Sequence, residues 1–214
     1  MKLYYSTGAC SLSVHISLYE SGLVFEALAA PTKTHKLADG TDYYAINPLG
    51  YVPLLVLDDG TKLRECPAIL QYVADQVPDR QLAPANGTLA RTELQAWLNF
   101  IATELHARFG PLFEATTPQE YKSAVSARVS DRLLWVDGEL SGKQFLMGDQ
   151  FSIADAYLYT VSNWTRLVGV DLTPYTNLNA LRKRIAARPA VIAAMKAEGP
   201  VSYTHLTLPT NREV

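Results

Sequence analysis

With 214 residues, 48% hydrophobic and 19% charged, the chain is long enough for one large domain or two small ones and too apolar for a disordered or fibrous protein. Nineteen Lys and Arg against 21 Asp and Glu leave a net charge of -2, without the basic surplus on which nucleic-acid binding rests, so no DNA or RNA partner is expected. No apolar run nears the ~20 residues of a membrane helix, and the opening residues lack a signal-peptide layout, so the expectation is a cytoplasmic protein away from membranes.

Lys2–Tyr5 reads as a first strand. Leu12, Ile16 and Tyr19 recur at helical spacing in a helix opened by Ser11 and stopped at Ser21-Gly22. Cys10 therefore stands where strand turns into helix. The unpartnered amides of a first helical turn and the helix dipole favour a thiolate there, which makes Cys10 a candidate nucleophile. A small buried apolar cysteine is the alternative. The only other cysteine is Cys66, so there is no disulfide framework and no zinc spacing, and no metal site is expected.

Phe25–Ala29 reads as a second strand. Leu54–Leu57, the turn Asp58-Asp59-Gly60 and Lys62–Arg64 read as a hairpin. A helix from Pro67, with Ile69, Leu70 and Val73 on one face, ends at Pro78. Short strands alternating with helices predict an α/β layer in residues 1–80. The next stretch, aperiodic and bearing Pro and Gly, predicts a linker at 81–87. Beyond it, over 88–200, only helical periods appear. Leu94, Trp97, Leu98, Ile101 and Leu105 mark one long helix, and Val125, Val129, Leu133, Val136 and Leu140 another. Phe151-Ser152-Ile153-Ala154-Asp155 predicts a capping box, which gives Asp155 a structural role; loss of the Ser152 hydroxyl is expected to cost about 1 kcal/mol.

Taken together, Met1–Tyr5, Gly8–Leu12, Asn47-Pro48-Leu49-Gly50-Tyr51-Val52-Pro53, Glu65, the run Trp97–His106 and the capping box resemble the soluble glutathione S-transferases, most closely the bacterial beta class. The likeness spans roughly residues 1–199. It implies a thioredoxin-like N-terminal domain, an all-α helical-bundle C-terminal domain and a homodimer. The activity it implies is addition of the glutathione sulfur to a small hydrophobic electrophile, with glutathione as co-substrate and no resident cofactor.

The resemblance also implies site residues. Val52-Pro53 looks like the family's cis-proline turn, whose Val52 backbone pairs with the cysteinyl part of glutathione. Glu65 and Cys66, at a helix start, would hold the γ-glutamyl end, although Cys66 stands where most members carry Ser. His35 occupies the place of a Lys that reaches the glycyl carboxylate; neighbouring Lys33 or Lys36 could compensate. His106 would lie near the sulfur and favour the thiolates, with Asn99 and Thr103 on its helix face, while Glu104 would meet the glutathione amine of the other subunit.

Tyr5 and Ser11 are weaker catalytic candidates. Phe109, Phe113, Tyr157 and Trp164 are candidates for lining the electrophile pocket or for plain core. Because Cys10-Ser11-Leu12-Ser13 ends in Ser, an internal dithiol cycle is not expected. Two other readings stay open: a thiol-disulfide reductase using Cys10 alone, and a noncatalytic ligand-binding module. Residues 201–214 fit no family pattern and read as a non-native appendage, expected to be disordered or to pack opportunistically.

Overall fold

The computed structural model describes residues 1–200, so the expectation for 201–214 lies outside the described residues. The first domain is a four-stranded sheet in the order β2-β1-β3-β4, made of β1 (Lys2–Tyr5), β2 (Glu26–Ala29), β3 (Leu54–Val56) and β4 (Lys62–Leu63). β1 runs parallel to β2 and antiparallel to β3, and β3 pairs antiparallel with β4. The parallel pair needs a crossover, supplied by helix α1 (Ser11–Ser21); α2 (Cys66–Asp75) comes after the hairpin. This is the expected thioredoxin-like layer. Gly22, at φ 73°, ends α1 in the left-handed conformation that a glycine adopts without steric cost.

α1 is more deeply placed than its three periodic residues suggest. It packs against α2 on one side and against α6 (Ile153–Ser162) and α9 (Pro189–Glu198) of the helical domain on the other, so that nine of its eleven residues are buried. Its serines make this possible. Ser13, Ser17 and Ser21 donate to the carbonyls of Cys10, Ser13 and Leu18, so no buried hydroxyl is left unbonded, and their small size lets neighbouring helices come close.

The second domain contains α3 (Leu89–Phe100), α4 (Ala107–Phe113), α5 (Gln119–Glu139), α6, the short α7 (Thr165–Val168), α8 (Thr176–Ala186) and α9. The single long helix expected across Leu94–Leu105 is there, but it widens to i→i+5 hydrogen bonding over Ile101–His106, between α3 and α4. One residue is thereby fitted in beyond the α-helical count, which rotates the downstream residues by about 100° about the helix axis. The shared face expected for Asn99, Thr103 and His106 rests on unbroken α-helical spacing and does not survive this: Asn99 and Thr103 are exposed, whereas His106 is half-buried.

Across the linker, the buried Arg91 of α3 forms a two-pronged pair with Asp75 of α2, at 2.7 and 2.9 Å, and also donates to the Pro84 carbonyl at 3.1 Å. The capping box forms as expected. The Asp155 carboxylate accepts from the Ser152 amide and hydroxyl and from the Leu146 amide, each at 2.8 Å. Among the described residues no helix is long and apolar enough to cross a membrane, and no group of three or more His, Cys, Asp or Glu could hold a metal ion.

Candidate active site

The loop between β1 and α1 is held from the far end of the chain. Gly8, at φ 70°, donates its amide to Glu198 Oε2 at 2.9 Å and accepts at its carbonyl from Trp164 Nε1 at 2.8 Å. Thr7 donates to the Glu198 carbonyl at 2.9 Å, and His15 Nδ1 lies 3.0 Å from Glu198 Oε1. Two residues of the helical domain thus fix the backbone just before Cys10.

Cys10 stands at the N-cap of α1, half-buried, and donates its thiol to the Val52 carbonyl at 3.2 Å. The Val52-Pro53 bond is cis. The Cys10 thiol is drawn down to about 5, first by a hydrogen bond with Cys66, then by the His106 imidazole, with burial working against both. Cys66 goes the other way. Burial, followed by its bond to Cys10 and the charge there, holds its thiol well above the ordinary range. Two neighbouring thiols thus divide into one that ionises readily and one that does not.

His106 stands in the widened turn, where its imidazole lowers the Cys10 thiol, and its Nδ1 lies 2.6 Å from the Tyr157 hydroxyl. Burial pushes the Tyr157 phenol upward, so it remains a donor. A phenol that donates to Nδ1 leaves the proton of the neutral ring on Nε2, the nitrogen free to donate to a sulfur anion. Trp164, edge-on to His106 at 4.9 Å, also contacts Phe109 and Phe113 at 5.6 and 5.8 Å. Phe109 and Tyr157 are core, whereas Phe113 is 40% exposed, so an aromatic wall runs from the imidazole to the surface.

Glu65 is exposed and caps α2 without a side-chain bond, at φ 69° and ψ 119°. A non-glycine residue in that region costs of order 1–3 kcal/mol and persists where its surroundings impose it, commonly at binding sites. His35, also left-handed at φ 50°, packs on Tyr44 with ring centroids 4.4 Å apart, and its buried Nδ1 has no hydrogen-bond partner among the described residues. Gly50 beneath them is obligatory, since a Cβ there would lie 2.6 Å from the Tyr44 ring and 3.0 Å from His35. Lys33 and Lys36 are exposed.

Thr103 donates to the Asn99 carbonyl at 3.0 Å. Glu104 Oε2 accepts from Arg132 at 2.8 Å and from Arg108 at 2.7 Å, and these two guanidiniums, Arg132 foremost, hold the carboxyl below its usual range. A cleft of about 680 Å³ lined by Trp97, Phe100 and Trp135 shares no residue with this constellation. Chemistry, not volume, marks the site.

The family model for the glutathione S-transferase N-terminal domain matches residues 7–76, and that for the C-terminal domain matches residues 100–189. The chain belongs to the glutathione S-transferase family. It is 47% identical over 199 residues to the glutathione S-transferase GstA of Escherichia coli O157:H7, covering 93% of this chain and 99% of that one. Two solved structures superpose with TM-scores of 0.89. One is a sphingomonad glutathione S-transferase complexed with glutathione, 46% identical, covering 92% of this chain and 98% of its own. The other is the bacterial beta class enzyme of Sphingomonas chungbukensis, 47% identical, with coverages of 93% and 99%.

Within this glutathione S-transferase, sequence reasoning overlooked Trp164 and Glu198 as supports of the Cys10 loop and Tyr157 as the partner of His106. Their separations of 156, 190 and 51 residues leave no local signal. Ser11 is excluded as a catalytic group because its buried hydroxyl is engaged with the Ser6 backbone. Tyr5 is buried against His15, and burial raises its phenol.

Proposed function

We propose that this glutathione S-transferase transfers the glutathione sulfur to small hydrophobic electrophiles at Cys10. The observation that carries this reading is the half-buried thiol at the head of α1 with an imidazole donor and the Val52 carbonyl beside it. Glutathione would lie along Val52, with its γ-glutamyl end at the first amides of α2 near Glu65 and Cys66, and its glycyl end toward His35. A peptide N–H from glutathione at the Val52 carbonyl would displace the Cys10 thiol from that acceptor. The Cys10 thiolate, steadied by His106 Nε2–H, then accepts the glutathione S–H, and the two sulfurs share one proton.

For a chlorinated aromatic electrophile, the S–C bond forms as the C–Cl bond breaks, chloride leaves with the electron pair and the thiol proton passes to water. Trp164 and Phe113 offer the ring surface against which such a compound would stack. We further propose a cytoplasmic homodimer in which the free Oε1 of Glu104, held rigid by Arg108 and Arg132, faces the glutathione of the partner subunit.

Calorimetric titration with glutathione, followed by turnover of the chlorinated aromatic, tests the reading. Wild type is expected to bind and turn over, and Cys10→Ala to bind but conjugate at a much lower rate. Absence of glutathione binding by the wild type would overturn the transferase reading; unchanged conjugation by Cys10→Ala would remove Cys10 from the mechanism.

A further inference from the structure

The absence of a second cysteine in Cys10-Ser11-Leu12-Ser13 argues against an internal dithiol cycle only if the partner thiol must come from α1. It comes instead from α2. Cys66 Sγ donates to the Cys10 carbonyl at 3.4 Å, and the hydroxyl of Ser13, where a CxxC motif would carry its second sulfur, lies 3.8 Å from the same sulfur. The thiols of Cys10, at the N-cap of α1, and Cys66, the first residue of α2, are thus neighbours. Cys66 is 4% exposed and Cys10 half-buried, so a disulfide reagent from solution meets Cys10 first.

We propose that Cys10 and Cys66 form a dithiol–disulfide couple in which Cys66 resolves mixed disulfides formed on Cys10 by small disulfides, glutathione disulfide foremost. For glutathione disulfide as substrate, the proposal rests on the reading that Cys10 faces the glutathione sulfur. In the first step the Cys10 thiolate attacks one sulfur of the reagent; an S–S bond forms to Cys10 and one glutathione thiolate departs. In the second, the Cys66 sulfur attacks Cys10 Sγ, the Cys10–glutathione bond breaks and the second glutathione leaves. The Cys66 proton goes to one departing sulfur, and the other takes its proton from water. The reagent is reduced to two thiols while Cys10 and Cys66 are oxidised to a disulfide, and two further glutathione thiols reverse the cycle.

Thiolation of Cys10 itself prepares the second step. Two of the influences that hold the Cys66 proton in place, the bond to Cys10 and the negative charge there, vanish once Cys10 is a disulfide, and only burial remains as a major barrier. The resolving thiol is therefore protonated and inert while Cys10 is free, and becomes a better nucleophile once Cys10 has been captured.

Reduced wild type is incubated with excess glutathione disulfide, quenched in acid, alkylated and read by intact-mass and peptide mass spectrometry. The expected product has lost two hydrogens, carries no glutathione and has neither cysteine open to alkylation. Cys66→Ser, a near-isosteric change, is expected to retain one glutathione on Cys10. A wild type that keeps the adduct with Cys66 alkylatable overturns the proposal. The same incubation with bis(2-hydroxyethyl) disulfide, which needs no glutathione site, separates the two readings. The Cys10–Cys66 disulfide with this reagent but no reaction with glutathione disulfide would uphold the couple and sink the glutathione placement. No Cys10–Cys66 disulfide with either reagent sinks the couple.

Discussion

A Cys10 thiol at about 5 has a reactivity profile that differs in shape from that of an ordinary thiol. At pH 6 a free cysteine near 8.5 is ~0.3% thiolate, whereas Cys10 is about 90% thiolate, an advantage of roughly 300-fold. Intrinsic nucleophilicity falls with basicity, and over about 3.5 pH units a Brønsted slope near 0.45 removes roughly 40-fold. The net expectation is an exchange rate about five- to tenfold above that of a free thiol at pH 6, near parity at pH 7 and about tenfold below it at pH 8. The assay is stopped-flow release of the chromophore from an aromatic disulfide, taking the first phase from pH 4 to 9 beside free cysteine. The Cys10 rate should be half-maximal at about pH 5 and flat above about pH 6. A rate still climbing about tenfold per pH unit between pH 6 and 8 would refute the claim that Cys66 and His106 ionise this thiol.

In the same assay His106→Ala should move the midpoint upward, because a donor to the sulfur is lost; an unchanged midpoint would remove His106 from the causes and leave Cys66 and the backbone amide at the head of α1. Trp164→Phe keeps the ring packing but removes the donor to the Gly8 carbonyl. Urea unfolding should show a loss of about 1 kcal/mol, while conjugation should fall roughly tenfold or more as the Cys10 loop shifts. A loss of stability without loss of rate would make that contact purely structural. Arg91→Ala should lower stability by about 1–3 kcal/mol, because the Pro84 carbonyl loses a buried donor; Asp75, left unpaired, is open enough for water to moderate the effect. A urea midpoint within error of wild type would show that the α2–α3 pair is dispensable. Ser152→Ala, with both partners buried, should cost about 1 kcal/mol in the same measurement.

What the sequence disclosed was what repeats or punctuates locally. Strand and helix positions came from periods in Lys2–Tyr5, Ile69–Val73 and Leu94–Leu105, and helix ends from Gly22 and the Ser152–Asp155 box; all are properties of neighbouring residues. The resemblance brought Cys10, His106 and the cis Val52-Pro53 turn into one group, and in the structure the Cys10 thiol donates to the Val52 carbonyl and is lowered in part by the His106 imidazole. Hidden from local reading were the widened turn at Ile101–His106 and the contacts that close over long separations. Nothing in Ile-Ala-Thr-Glu-Leu-His announces an extra residue in the turn, since the same residues suit an unbroken α-helix. Ser13 does end the CxxC possibility within α1. That a thiol from α2 stands against it is a fact of packing, which one-dimensional spacing does not encode.

The tie between Gly8 and Glu198 also sets an order of events during synthesis. Residues 1–80 carry the nucleophile and most of the proposed glutathione contacts, and they leave the ribosome first. The backbone before Cys10 is nonetheless fastened by an indole and a carboxylate that lie 156 and 190 positions beyond Gly8. A nascent chain halted between α7 and α9 would hold that loop by the indole alone, without the carboxylate. Full assembly of the nucleophile's surroundings is thus deferred until α9 exists, and its last turn acts as the latch.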